Sequence, residues 1–209
     1  MKEIFDFRDE NILWEEFKLG NKGAFNTIFR RYYSDLYFYG LKILPDSNFI
    51  KECIQDIFVR VWETRENLGE VKNIKSYLLI SLRRKILSNT DKKRYNHTNL
   101  KELESNSFLY EENEFEKHTE ISNETRLLLL NAVNSLTKKQ REIIMLLFYH
   151  GLPYTEISKI LNISIEAARN LTYRSLIHLR KILGNKTINA LQNIIYLLFP
   201  IKSKKSQII

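Results

Sequence analysis

LTKKQREIIMLLFYHGLPYTEISKILNISIEAARNLTYRSLIHLRKIL, residues 136–183, is the stretch whose spacing decides the architecture of this chain. Thr137 with Gln140 three residues on is spaced as a capping box, which predicts a helix running through Phe148. Gly151 then supplies the left-handed residue that ends it. Pro153 restarts the chain, because the amide that proline lacks would have no intrahelical partner in a first turn. The short helix that follows carries Ile157, Ile160 and Leu161 on one apolar face. Asn162 is able to go left-handed, Ile163 is the expected buried plug and Ser164 the expected N-cap. In the next helix Glu166 stands in the first turn, where the dipole favours a carboxylate, and Ala168, Leu171, Leu176, Leu179 and Leu183 form the predicted buried stripe. Ala168 is small enough for the two helices to cross closely, and the whole pattern is that of a helix-turn-helix.

The opposite face of that last helix presents Arg169, Asn170, Tyr173 and Arg174 and, two turns on, Arg180 and Lys181, along a rod roughly 27 Å long. A forked guanidinium matches guanine edges or phosphates, an amide pairs with adenine, and a tyrosine packs against sugar or a thymine methyl. A stripe of arginine and lysine is in general only a solvated helix face. Here the cap, the turn and the small crossing residue that precede it point to DNA instead.

Composition agrees with this direction. The 209 residues are 44% hydrophobic, with only 6 Gly and 3 Pro, which suits long helices with few tight turns and predicts an all-α protein. A net charge of +8 fits a polyanionic partner, because cationic side chains release the counterions condensed on phosphates. Cys53 is the single cysteine, so no internal disulfide is possible; on an apolar helical face it reads as a small core residue. Residues 1–8 mix charge with Ile4, Phe5 and Phe7 and lack the apolar run of a secretion signal, so the expected compartment is cytoplasmic.

The N-terminal half is a series of helices. Asp9 can cap one that carries Ile12, Leu13, Trp14 and Phe17 to a break at Gly20. A second starts at Asn21 to Gly23 and repeats Phe25, Ile28, Phe29, Tyr32, Leu36, Tyr39 and Ile43 until Pro45. Tyr33, Tyr37 and Phe38 lie off that stripe. Ser47 or Asn48 can begin a third, with Ile50, Cys53, Ile54, Ile57, Phe58 and Val61 inward and Glu52, Gln55, Asp56, Arg60 and Glu63 outward. A fourth covers residues 74–93, with Leu78, Leu79, Leu82 and Ile86 on its inner face and Arg83, Arg84, Lys85, Lys92, Lys93 and Arg94 around it.

Two of these segments carry a resemblance. Residues 136–142, 151–158 and 164–180 resemble region 4 of a bacterial RNA polymerase sigma factor, and ECIQDIFVRVW at residues 52–62 resembles region 2.2. Their order and short separation are similar to the two-domain extracytoplasmic function (ECF) type, in particular the branch of iron-transport sigma factors. The resemblance implies that the last helix reads the minus-35 promoter element from the major groove, with contacts at Tyr154, Thr155, Glu156, Ala167, Arg169, Asn170, Tyr173 and Arg174. It implies docking on core RNA polymerase, through the beta-prime clamp coiled coil and the beta flap, with Glu52, Gln55, Asp56, Phe58 and Arg60 on the clamp contact and Trp62 as a packing anchor. It also implies that the fourth helix and the loop before it hold the melted minus-10 strand, through Tyr77, Arg83, Arg84 and Ser88, and that an anti-sigma factor is a possible partner. Pro153 stands where the family usually has Ser, and Ala167-Ala168 where it has Thr-Val, so a hydroxyl available to DNA is lost. Tyr77, Arg84 and Ser88 replace a common Trp, Asn and Asp.

The expected organisation is therefore two small helical domains, residues 1–94 as region 2 and 124–184 as region 4, joined by a flexible acidic linker at 95–123. Residues 185–209 form an amphipathic tail whose apolar run falls short of the roughly 20 residues a membrane span needs. His97, His118, His150 and His178 are scattered, no cysteine pair exists and no phosphate-cradling glycine loop is present, so no catalytic site, metal or cofactor is expected. The expected function is promoter-directed transcription initiation without chemistry of its own. The alternative is a stand-alone LuxR-like helix-turn-helix regulator that binds duplex DNA without polymerase.

Overall fold

Asp9 caps the first helix, α1 (Glu10–Lys18): its carboxylate accepts from the Asn11 amide at 2.7 Å, and Gly20 at φ +84° follows the helix end. The computed structural model describes residues 9–94 and 123–184, and side chains within 9–88 and 127–184. Residues 1–8, the predicted linker apart from its last residue and the predicted tail at 185–209 lie outside the described residues. So do His97, His118 and the side chains of Lys92, Lys93 and Arg94. Among the described residues every regular element is helical. The chain divides into two compact units, at a point inside the stretch expected to be linker.

The first unit follows α1 with α2 (Lys22–Ile43), α3 (Ser47–Glu63), a short 3-10 turn (Arg65–Asn67) and α4 (Ile74–Arg94). Asn21 caps α2 by accepting from the Gly23 and Ala24 amides. Asp46, rather than Ser47 or Asn48, caps α3 and accepts from the Phe49 amide, because its extended backbone points the short carboxylate back into the first turn. α2 packs against α1, α3 and α4, and α3 against α4. The core formed there comprises Leu13, Trp14, Phe17, Ile28, Tyr32, Leu36, Tyr39, Ile50, Cys53, Ile54, Ile57, Leu78, Leu79, Leu82 and Ile86, all buried.

Two departures from the expected core follow from helix geometry. Ile12 is 47% exposed, since the buried face of α1 is set by Leu13, Trp14 and Phe17 and Ile12 falls beside it. In α2 the buried line is Ala24, Ile28, Tyr32, Leu36 and Tyr39, at steps of three or four, while Phe25, Phe29 and Ile43 lie half-buried on its flank. Gly40 is what lets α2 and α3 meet so closely. A Cβ built there would stand 2.7 Å from Ile50 Cγ2.

The second unit contains α5 (Asn123–Asn134), α6 (Lys138–Ile144) with a π turn (Met145–Tyr149), α7 (Tyr154–Leu161) and α8 (Ile165–Leu183). α8 is the central element, packed by α5, α6 and α7. Thr137 and Gln140 form the expected capping box. Arg141 is buried and its guanidinium donates to the Asn134 carbonyl at 2.8 Å and the Leu136 carbonyl at 2.6 Å, satisfying the acceptors left open where α5 ends. The expected supports Leu129, Ala132, Val133 and Leu136 are all buried.

Candidate nucleic-acid and polymerase interfaces

The turn between α7 and α8 is built as its residue types demand. Gly151 has φ +65°, Pro153 is the N-cap of α7, and Asn162 ends α7 in the left-handed region at φ 53°, ψ 53°. Asparagine is among the few residues with a side chain that adopt that conformation readily, because a short polar side chain can hydrogen-bond locally and so offset the crowding of its Cβ against the following carbonyl. Ser164 then caps α8, its hydroxyl accepting from the Ala167 amide at 3.0 Å. Ile163 is half-buried rather than a full plug; its amide donates to the Ser158 carbonyl at 3.0 Å, which fixes the turn through the backbone instead.

The inner face of α8 differs from the leucine stripe expected. Ala168, Thr172, Ser175, Leu179 and Leu183 are buried, while Leu171 and Leu176 are half-buried on the flanks. Small residues at Ala168 and Ser175 let α8 be crossed closely, and the Ser175 hydroxyl is satisfied within its own helix by donating to the Leu171 carbonyl at 2.7 Å. Rotating the core line in this way leaves the opposite face intact. Arg169, Asn170, Tyr173, Arg174, Arg180 and Lys181 are all exposed, Tyr173 at 65%.

Around the start of α8 the structure gathers most of the other expected promoter contacts. Tyr154 is half-buried and its ring lies 5.9 Å from the Arg169 guanidinium. Thr155 is exposed, and Ala167 half-buried in the first turn. Glu156 is mostly covered and is paired with Lys159 at 2.9 Å within α7. The Arg174 side chain donates to the Asn170 carbonyl at 3.3 Å, which holds it along the helix.

In the first unit, Glu52, Gln55, Asp56 and Arg60 stand on the outer face of α3, all exposed. Phe58 differs: at 3% exposure it belongs to the helix's inner edge, 4.9 Å from the Phe29 ring and 5.9 Å from that of Phe25. It forms the floor of an open trough of about 750 Å³ between α2 and α3, walled by Phe25, Phe29, Tyr33, Val59 and Trp62, with Lys22, Lys51 and Gln55 along its rim. Sequence reasoning missed Phe25, Phe29 and Val59 as parts of an open surface. The signal was present: the apolar set of α2 is wider than one buried line requires, so part of it had to face outward. Trp62 is the expected anchor, half-buried among Phe17 and Phe25 with the Arg65 guanidinium 4.7 Å above its ring.

The expected minus-10 residues divide. Arg84 and Ser88 are exposed, Arg83 is half-buried, and the Ser88 hydroxyl donates to the Lys85 carbonyl at 3.1 Å. Tyr77 is half-buried, edge-on to Trp14 at 5.5 Å, and burial pushes its phenol up from the ordinary value. The Trp14 indole in turn donates to the Gly69 carbonyl at 3.1 Å, pinning the loop that precedes α4. Lys85 is paired with Asp56 of α3 at 2.7 Å.

Comparison with known proteins agrees with this arrangement. The family models for sigma-70 region 2 and sigma-70 region 4 match residues 28–95 and 126–179, which together span more than half of the chain. Among solved structures, CnrH in complex with the cytosolic domain of CnrY is 19% identical, with a TM-score of 0.54, covering 84% of this chain and 97% of that one. The sigma factor RpoE in complex with the anti-sigma factor NepR, from Bartonella quintana, is 18% identical, with a TM-score of 0.53, covering 77% of this chain and 97% of that one. At such identities the likeness is one of fold. A search of curated protein sequences finds no match.

Proposed function

The chain belongs to the sigma-70 family and is of its ECF type, a factor that brings core RNA polymerase to promoters, and we propose how its surfaces divide that work. The exposed face of α8 reads the minus-35 element, with Arg169, Asn170, Tyr173 and Arg174 toward the bases and Arg180 and Lys181 toward phosphates. Tyr154, Thr155, Glu156 and Ala167 lie at the edge of that contact. The carrying observation is that these α8 side chains are exposed on one side while the small residues Ala168 and Ser175 bury the other.

The clamp of core polymerase docks on the outer face of α3, through Glu52, Gln55, Asp56 and Arg60, and extends into the aromatic trough floored by Phe58. Region 4 meets the beta flap. Tyr77, Arg83, Arg84 and Ser88 take the melted minus-10 strand, the cations offsetting its charge and the aromatic its stacking. We place the protein in the iron-transport branch, in the cytoplasm, and with no chemistry of its own. CnrH was solved with the cytosolic domain of CnrY and RpoE with the anti-sigma factor NepR, and an anti-sigma factor is proposed here too.

Supplying core polymerase with this chain and a library of upstream fragments tests the reading. Promoter-specific transcripts that depend on the chain are expected. A stand-alone regulator would bind duplex DNA and yield none, and a match to region 2 already tells against that alternative.

A further inference from the structure

The contact between Tyr154 and Arg169 joins the first turn of α7 to the second turn of α8, the two elements of the helix-turn-helix. Arg169 has a closer-lying option in sequence: Glu166 is three residues before it on the same helix, at the spacing of an intrahelical ion pair. That pair is not formed among the described residues. The guanidinium instead lies over the tyrosine ring at 5.9 Å, and Glu166 stays exposed.

The difference matters because a guanidinium has two kinds of surface. Its N–H donors all lie in its plane, whereas its faces are apolar enough to stack on aromatic rings. A carboxylate partner would occupy the donor edge. An aromatic ring as the cation's partner restricts the side chain's rotation, takes up none of those donors and leaves that edge for the forked bonds that guanine O6 and N7 accept. Tyr154 can serve this way because it is itself half-buried at the start of α7, next to the fixed turn made by Pro153.

We propose that Tyr154 is a positioning residue for promoter recognition: it holds the Arg169 guanidinium by a cation–π contact so that its donor edge is set in advance toward a guanine of the upstream element. This rests on the reading of α8 as the minus-35 reader. It changes the role of Tyr154 from a DNA contact to the support of one.

The experiment uses the full chain assembled with core polymerase and measures affinity for promoters substituted one base pair at a time across the upstream element. Arg169→Ala identifies the base pair at which discrimination is lost. Tyr154→Ala is expected to reduce discrimination at that same base pair by about two- to five-fold, the range for an exposed cation–π contact, and to leave other positions unchanged. Tyr154→Phe keeps the ring and is expected to retain wild-type selectivity. In an Arg169→Ala background, Tyr154→Ala adds nothing.

A uniform loss across all sequences, a Phe variant as impaired as Ala, or an undiminished Tyr154→Ala effect without Arg169 would each overturn the proposal, showing that the tyrosine touches DNA itself. Thermal melting of each variant separates these outcomes from unfolding: an Ala variant that melts early leaves the Phe variant and the position dependence to decide. Should Arg169→Ala leave selection unchanged at every position while the chain still directs specific transcription, the assignment of Arg169 to the reading face fails, and the proposal with it.

Discussion

Lys85 Nζ of α4 lies 2.7 Å from Asp56 Oδ2 of α3, so the helix assigned to strand capture and the helix assigned to polymerase docking share one ion pair. Neither charge is fully committed to the interior. The Asp56 side chain is 62% exposed and that of Lys85 30%, which places the pair at the edge where α3 and α4 meet.

Asp56→Ala is therefore expected to change the stability of the first unit by no more than about 1 kcal/mol, as befits an exposed pair. Its effect belongs to binding: with Gln55→Ala added, the chain should compete poorly against wild type for core polymerase. Equal competition in a mixed assembly would take both residues off the docking face.

On α8, Arg169→Ala or Arg174→Ala should each weaken binding of holoenzyme to its upstream element by about 1–3 kcal/mol. Both side chains are exposed, so the melting curve should not move. Gel-shift titration with the assembled holoenzyme measures the first effect and circular dichroism the second.

Gly40→Ala puts a methyl 2.7 Å from Ile50 Cγ2 and 3.1 Å from Ile50 Cδ1. Neither helix can withdraw without losing its own core contacts, so a cost of about 1–3 kcal/mol in urea unfolding is expected. Ile50→Ala removes the obstructing Cγ2, so it should cost less stability in the Gly40→Ala background than in wild type. A full-strength Gly40→Ala protein would mean that the helices separate freely.

Tyr32 donates its phenol to Glu10 Oε1 at 2.5 Å, and burial first, then that carboxylate, push its pKa above the ordinary tyrosine value. The protonated form is the one favoured by folding. Its contribution is thus complete below the unfolded-state pKa, about 10, and is lost as pH rises beyond it toward the higher folded-state value. Alkaline unfolding above that pH should be shallower in Tyr32→Phe than in wild type; identical profiles would remove Tyr32 from the linkage.

Much of this was legible in the sequence because it rests on short-range rules. The capping box at Thr137 and Gln140, the left-handed Asn162 and the Ser164 cap are local chemistry, and each holds in the structure. The inner face of α3 is one-sided at steps of three and four, and every residue expected there is buried. What failed depended on neighbours far away in the chain. Leucine at 171 and 176 outweighs serine at 175 on any hydrophobicity argument, yet the close crossing of α8 selects the smaller side chain for the centre. Phe58 is apolar on a face adjoining a charged one, and only the aromatic flank of α2 reveals it as the floor of a trough. The Asp56–Lys85 pair spans separate helices, and nothing in the spacing of either predicts it.

Gly40 has one more implication. With no side chain between them at that crossing, α2 and α3 close tightly beside Ile50 near the end of α2, whereas the trough lies along the first half of α2. The grip of α2 on α3 and the opening between them thus fall at different ends of one helix, so that the first can be tight while the second stays accessible.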